Sequence, residues 1–165
     1  MTKTKATRDL ERRLWNYTHS GPGNAFACFE VTIGVSVYNS KKQIVDFLSY
    51  KNNDFRAYEI KVTLADLNSK NALSLVGDFN YLVLTKELWD KIQKMKQKPE
   101  ALWFAGVMIP KGDDSLQCVR KSGHPTVTFG KKALLMESMV RSMDRELNKV
   151  YSKRMYDELE ADNEN

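Results

Sequence analysis

Residues 44–61, IVDFLSYKNNDFRAYEIK, restrict the possible architectures more than any other stretch of the chain. β-Branched, aromatic and aliphatic side chains recur at every second place on both sides of Lys51-Asn52-Asn53-Asp54, the pattern of two strands joined by a tight turn. With those four residues as the turn, the register follows. Asp46 stands opposite Glu59, with Cβ atoms roughly 5 Å apart as for any directly opposed pair. Lys61 shares the face of Glu59, while Val45, Phe47, Tyr58, Ile60 and Val62 fill the other face with apolar packing.

Like charges opposed across a sheet repel, so a sequence selected for stability alone should avoid this pair. Something cationic must compensate. Lys61 supplies one charge, and two converging carboxylates also make a hard-oxygen site suited to Mg²⁺ or Mn²⁺. The backbone carbonyl of Ile60 would be an additional ligand. A lysine two residues beyond the glutamate can orient the attacking water or stabilise charge developing on a phosphate. The plainer alternative is a charged, half-exposed hairpin in which Lys61 only neutralises its neighbours. An acid two places before a lysine arises by chance about once in a chain of this size, and here it occurs only at Glu59. Its position inside an apolar strand, facing an aspartate, favours the functional reading.

Around this hairpin the chain reads as alternating helices and strands. Thr7 can cap a first helix running to about Tyr17, with Leu10, Leu14 and Tyr17 as its apolar stripe. SGPGN ends it, AFACFEVTIGVSVY reads as a strand, and NSKK as the turn before the hairpin. Leu64 to Ser74 turns helical, NYLVLT is a short buried strand, and Thr85 caps TKELWDKIQKMKQK, which Pro99 closes. ALWFAGVMIP is a further strand, KGDD a turn, LQCVRK its partner strand, and a last helix runs from near Lys131 to about Leu159. The expectation is an α/β fold, a mixed sheet flanked by helices with its antiparallel part early. Residues 1–156 read as one domain and 157–165 as an acidic tail.

That tail hides part of the basicity. The whole chain carries +5, but its last nine residues hold five acids and no base. Residues 1–156 therefore have 26 basic against 16 acidic side chains, a net of +10. Such an excess suits a polyanionic partner, although a solvated lysine-rich surface gives the same composition. In the last helix Arg141, Arg145 and Lys149 form a basic stripe opposite Leu135, Met139, Met143, Leu147 and Val150. It could track a nucleic-acid backbone or simply face solvent.

No apolar run is long enough to span a bilayer, and the basic, polar start lacks the apolar core of a secretory signal, which points to the cytoplasm. Cys28 and Cys118 then read as free thiols, and nothing in their spacing with His19 and His124 favours a zinc site. His124 has no evident Ser or Cys partner, and P-loop and dinucleotide fingerprints are absent. Trp15, Trp89 and Trp103 sit in helical or strand patterns and are expected in the core.

VDFLSYKNNDFRAYEIKVTLADL resembles the core of the PD-(D/E)XK nuclease superfamily, Asp46 matching its aspartate and Glu59-Ile60-Lys61 its (D/E)xK; Val45 stands where that motif has proline. More narrowly, IVDFLSYK, AYEIKVTLADL, YLVLTKELWDKI and LWFAGVMIP are similar to MmcB-type DNA repair proteins and their phage relatives. The resemblance implies a restriction-endonuclease-like αβββαβ core and Mg²⁺- or Mn²⁺-dependent hydrolysis of DNA phosphodiesters in repair, recombination or phage DNA metabolism, with RNA left open. Asp46, Glu59 and Ile60 would hold the metal and Lys61 would assist catalysis. An extra glutamate often joins from the first helix. Glu11 is the candidate, with Glu30 competing for the place. Lys70, one turn past Asp66, would reach a phosphate or sit on a solvated face. Small members often dimerise, but no feature of the sequence marks an interface. The alternative is a nuclease-like fold that no longer cleaves and serves as a nucleic-acid-binding or protein-inhibiting module. A scaffold with no nucleic-acid role is a third.

Overall fold

The computed structural model describes residues 3–20, 24–34, 43–69 and 73–163. The NSKK turn, most of SGPGN, the end of the first expected strand and Lys70 lie outside them. The elements run α1 (Lys5–His19), β1 (Phe26–Ile33), β2 (Gln43–Lys51), β3 (Asp54–Lys61), α2 (Leu64–Leu67), β4 (Phe79–Leu84), α3 (Lys86–Gln93), a 3₁₀ turn (Glu100–Trp103), β5 (Gly106–Lys111), β6 (Ser115–Arg120) and α4 (Phe129–Asn163). One six-stranded sheet holds the strands in chain order. β1, β2 and β3 pair antiparallel, β3, β4 and β5 parallel, and β6 returns antiparallel. The fold is thus mixed α/β, with the antiparallel part first. Among the described residues no helix is long and apolar enough to cross a membrane.

Helices cover both faces. Leu10 and Leu14 of α1 pack with Phe47, Tyr58, Val83 and Met108 on one face. On the other, Leu135 and Met139 of α4 lie against Leu48, Phe55 and Ala57, and Leu67, Leu88 and Ile92 of α2 and α3 cover Leu82, Leu84 and Val107. Neighbouring residues of β4 and β5 go to opposite layers, as strand alternation requires. Cys28 and Cys118 are both free thiols, the first buried and the second exposed.

The hairpin turn falls at Lys51–Asp54, and Asn52 and Asn53 have φ of 51° and 66°. Two left-handed residues in succession are the geometry whose twist matches that of paired strands, and asparagine tolerates it better than most.

Several boundaries differ from the sequence reading. Thr4, not Thr7, caps α1, accepting a hydrogen bond from the Thr7 N–H at 3.1 Å. α2 is a single turn rather than a helix to Ser74. α3 stops at Gln93, five residues before Lys98, whose ammonium donates to the carbonyls of Ile92 and Gln93 at 3.3 Å each. Ala101 to Trp103 lie in a 3₁₀ turn rather than strand: it buries only Leu102 and leaves Trp103 outside. α4 runs to Asn163, a turn past the expected end near Leu159.

Candidate active site

Pairs run from Lys51↔Asp54 to Phe47↔Tyr58, the register expected, but the β2–β3 ladder ends there. One step further the Asp46 carboxylate replaces a strand carbonyl: its Oδ2 accepts from the Ile60 N–H at 2.8 Å. On the other side the β1–β2 pairs step from Phe29↔Phe47 to Val31↔Val45, leaving Glu30 and Asp46 between them unpaired. Glu30 has φ of 52°, the left-handed region. Phe29 and Phe47 pack toward α1, yet Val31 and Val45, two residues away, pack toward α4. Both strands turn over at this point. Val45 therefore does not share a face with Phe47, Tyr58 and Ile60 as strict alternation predicts, and the twist frees the Asp46 carboxylate to meet β3 from the side.

Glu59 and Lys61 follow Asp46 into this region at the end of β3, level with Leu82 and Leu84 of the parallel β4. Clefts past the carboxyl ends of parallel strands are where open α/β sheets commonly bind ligands. A cavity of about 210 Å³ lies here, lined among others by Asp46, Ile60, Lys61, Glu11, Glu30 and Asp66. Glu59 sits just behind this lining, buried, with Ser74 donating to its Oε1 and Lys61 Nζ 3.8 Å from its Oε2. Burial pushes the Glu59 carboxyl up to about 7, and the neighbouring Asp46 charge pushes the same way; Ser74 and Lys61 oppose them without cancelling them.

The structure brings Asp46, Glu59, Ile60 and Lys61 together and adds both contenders for the extra acid. Lys3 joins them. Its ammonium lies 2.6 Å from Glu11 and 2.7 Å from Glu30, tying α1 to the turned-over strand. Burial disfavours the Lys3 charge, but the hydrogen bonds to Glu11 and Glu30 outweigh it and raise the group above its ordinary value. The signal for Lys3 was absent because it precedes the helix and meets Glu30 only through the fold. Asp66 reaches the cavity because its own N–H is tied to the Thr63 hydroxyl at the start of α2, at 3.1 Å.

The basic stripe of α4 is neutralised locally. Arg141 lies 3.7 Å from Glu137, and Arg145 and Lys149 both lie 2.9 Å from Glu146. Two tryptophans expected in the core are at the surface, Trp15 at 43% and Trp103 at 77% exposure. Trp89 is half-buried against the α3 layer.

A second acidic group, Asp54, Asp78 and His124, has ligand atoms within 4.8 Å of one another. Lys132 already lies 3.0 Å from Asp78, and Asp78 accepts the Phe55 N–H at 2.8 Å. This group reads as the anchor of the hairpin to α4.

No protein-family model matches the chain, and no curated protein does. Among solved structures it is similar to SPO1766, a protein of unknown function from Silicibacter pomeroyi, with a TM-score of 0.66 over 93% of this chain and 96% of that one. At 12% identity the likeness is one of fold.

Proposed function

We propose that the chain is a metal-dependent nuclease of the PD-(D/E)XK type, akin to MmcB-type repair proteins, which hydrolyses DNA phosphodiesters at Asp46, Glu59 and Lys61. The observation that carries this reading is the buried Glu59 set beside Asp46 with Lys61 3.8 Å away, next to a cavity lined by further acids; burial and the Asp46 charge push its carboxyl up to about 7. Packing alone gains nothing from such a pair, because burying a carboxyl costs free energy unless a partner compensates. The donors suit Mg²⁺ or Mn²⁺: carboxylate oxygens, with the Ile60 peptide at the cavity wall. Asp46, Glu59 and the Ile60 carbonyl would hold the ion. When bound, the metal would lower the pKa of a water and offset charge on the phosphate.

The chain's own groups have distinct tasks. The Ile60 N–H fixes the orientation of Asp46, and Ser74 fixes Glu59. Lys61, only 13% exposed in its side chain, presents a cation where the phosphate would develop charge. Glu11 lines the cavity from α1, where it would position water or a further ion.

Cleavage of labelled single-stranded, duplex and branched DNA with Mg²⁺ or Mn²⁺ tests the reading. Metal-dependent cutting should fall about a hundredfold or more in Lys61→Ala and vanish in Asp46→Ala. Cutting that survives both substitutions rejects these residues as the site. A second reading draws on Lys3, whose ammonium already spans Glu11 and Glu30: a nuclease-like module that binds nucleic acid without cutting. Salt-sensitive binding with no cleavage under any metal would select it.

A further inference from the structure

Near the start of β5 lies a hollow of about 850 Å³ with Lys96, Lys98, Trp103, Phe104 and Arg120 on its walls. Trp103 is 77% and Phe104 56% exposed, large values for side chains that lose so much by staying in water. The 3₁₀ turn explains how they are held: it buries Leu102 and projects the next two residues outward. Among the described residues none of these three cations lies within 4.0 Å of a carboxylate oxygen, unlike Arg141, Arg145 and Lys149 on α4. The segment from Lys91 to Lys98 holds four lysines and no acid, and Glu100 is the one acid on the hollow's wall. Lys98, donating to two carbonyls at the end of α3, is held in position.

We propose that this hollow binds a single strand of nucleic acid, its bases stacked on Trp103 and Phe104 and its phosphates against Lys96, Lys98 and Arg120. A surplus of unpaired cations calls for a polyanion. Two exposed rings beside them call for one with free π-faces, which a duplex keeps stacked inside and a single strand offers. The hollow is separate from the carboxylate cavity. Gly106, which opens β5, pairs with Tyr81 and so stands level with Tyr58, whereas Lys61 ends β3. The hollow thus lies toward the starts of the parallel strands and the cavity at their ends. The proposal rests on nucleic acid being the partner but not on its cleavage.

The test is fluorescence anisotropy of labelled oligothymidylate, and of a duplex of the same length, with the full chain in EDTA so that no metal-dependent cutting occurs. The single strand should bind more tightly, and Trp103→Ala should weaken it about fivefold to a hundredfold, the range for loss of one stacking ring. Lys96→Glu with Arg120→Glu should weaken it further and flatten the dependence on salt by about 0.7 per cation lost. Binding should also quench tryptophan emission in the wild type, and Trp103→Phe should abolish most of that quench while largely keeping affinity. Equal affinity in wild type and Trp103→Ala, no quench, or tighter binding of duplex overturns the proposal, as would a hollow that takes only protein. Cleavage lost but stacking retained would reject the nuclease reading alone; cleavage intact with binding indifferent to Trp103 would reject this proposal alone.

Discussion

Glu59 sets the pH behaviour of the candidate site. Its folded carboxyl is held at about 7 against 4.5 in the unfolded chain, chiefly by burial and then by Asp46. The folded state therefore keeps a proton that the unfolded state releases across that window. Stability of the metal-free protein should fall as pH rises from about 4.5 to about 7, by roughly 3 kcal/mol in total. Urea unfolding at pH 5 and pH 8 measures this, and Glu59→Gln should remove most of the difference. A wild type whose midpoint ignores pH would show that Glu59 is ionised throughout. Individual residues were unevenly legible in the sequence. The meeting of Asp46, Glu59 and Lys61 was legible because alternation and a countable turn locate them. Lys3 and Ser74 were not, since each meets its partner only through tertiary contact. Trp103 reads as core yet is exposed, because an aromatic inside an apolar run carries no mark of which way a 3₁₀ turn will point it.

Among the elements, the β2–β3 hairpin is the best specified and also the most closely tied to its surroundings. Asn53 holds φ 66°, where its side-chain amide offsets locally the crowding of its β-carbon and an alanine methyl cannot, so Asn53→Ala is expected to cost about 1 kcal/mol. Asp78 takes the Phe55 N–H and pairs with Lys132. Asp78→Ala would orphan the Phe55 N–H, while Lys132 would keep the Asn53 carbonyl and Asp54, and should cost roughly 1–3 kcal/mol in thermal or denaturant unfolding; a loss under 1 kcal/mol would mean that the turn holds without its anchor. The register of the hairpin could be read because the flanking strands alternate cleanly. The turning-over at Glu30 and Asp46 could not, since a period of two presumes an unbroken strand. Periodicity also overran α3, because Lys94 to Lys98 keep helical composition after the backbone has stopped.

For the whole molecule, among the described residues α1 covers one face of the sheet while α2, α3 and the first half of α4 cover the other. The far half of α4 is largely exposed, its apolar Val150, Met155, Tyr156 and Leu159 included. Removing residues 151–165 should therefore shift the melting temperature by less than about 4 °C, the effect of roughly 1 kcal/mol in a chain of this size. A larger drop would show that this end of the helix has a partner, in the same chain or another copy. The mixed α/β class was legible because apolar runs alternate with capped helices; the parallel pairing of β3 with β4 was not, since it joins segments whose own patterns say nothing of direction. The two-residue turn between β2 and β3 leaves the site exposed to errors of counting more than of spelling. Letters at Asn52 and Asn53 can change at modest cost, but one residue gained or lost there slips the ladder and sends Glu59 and Lys61 to the α1 layer while Asp46 stays behind. Descendants of such a chain could rewrite that turn freely and still be unable to lengthen it by a single codon.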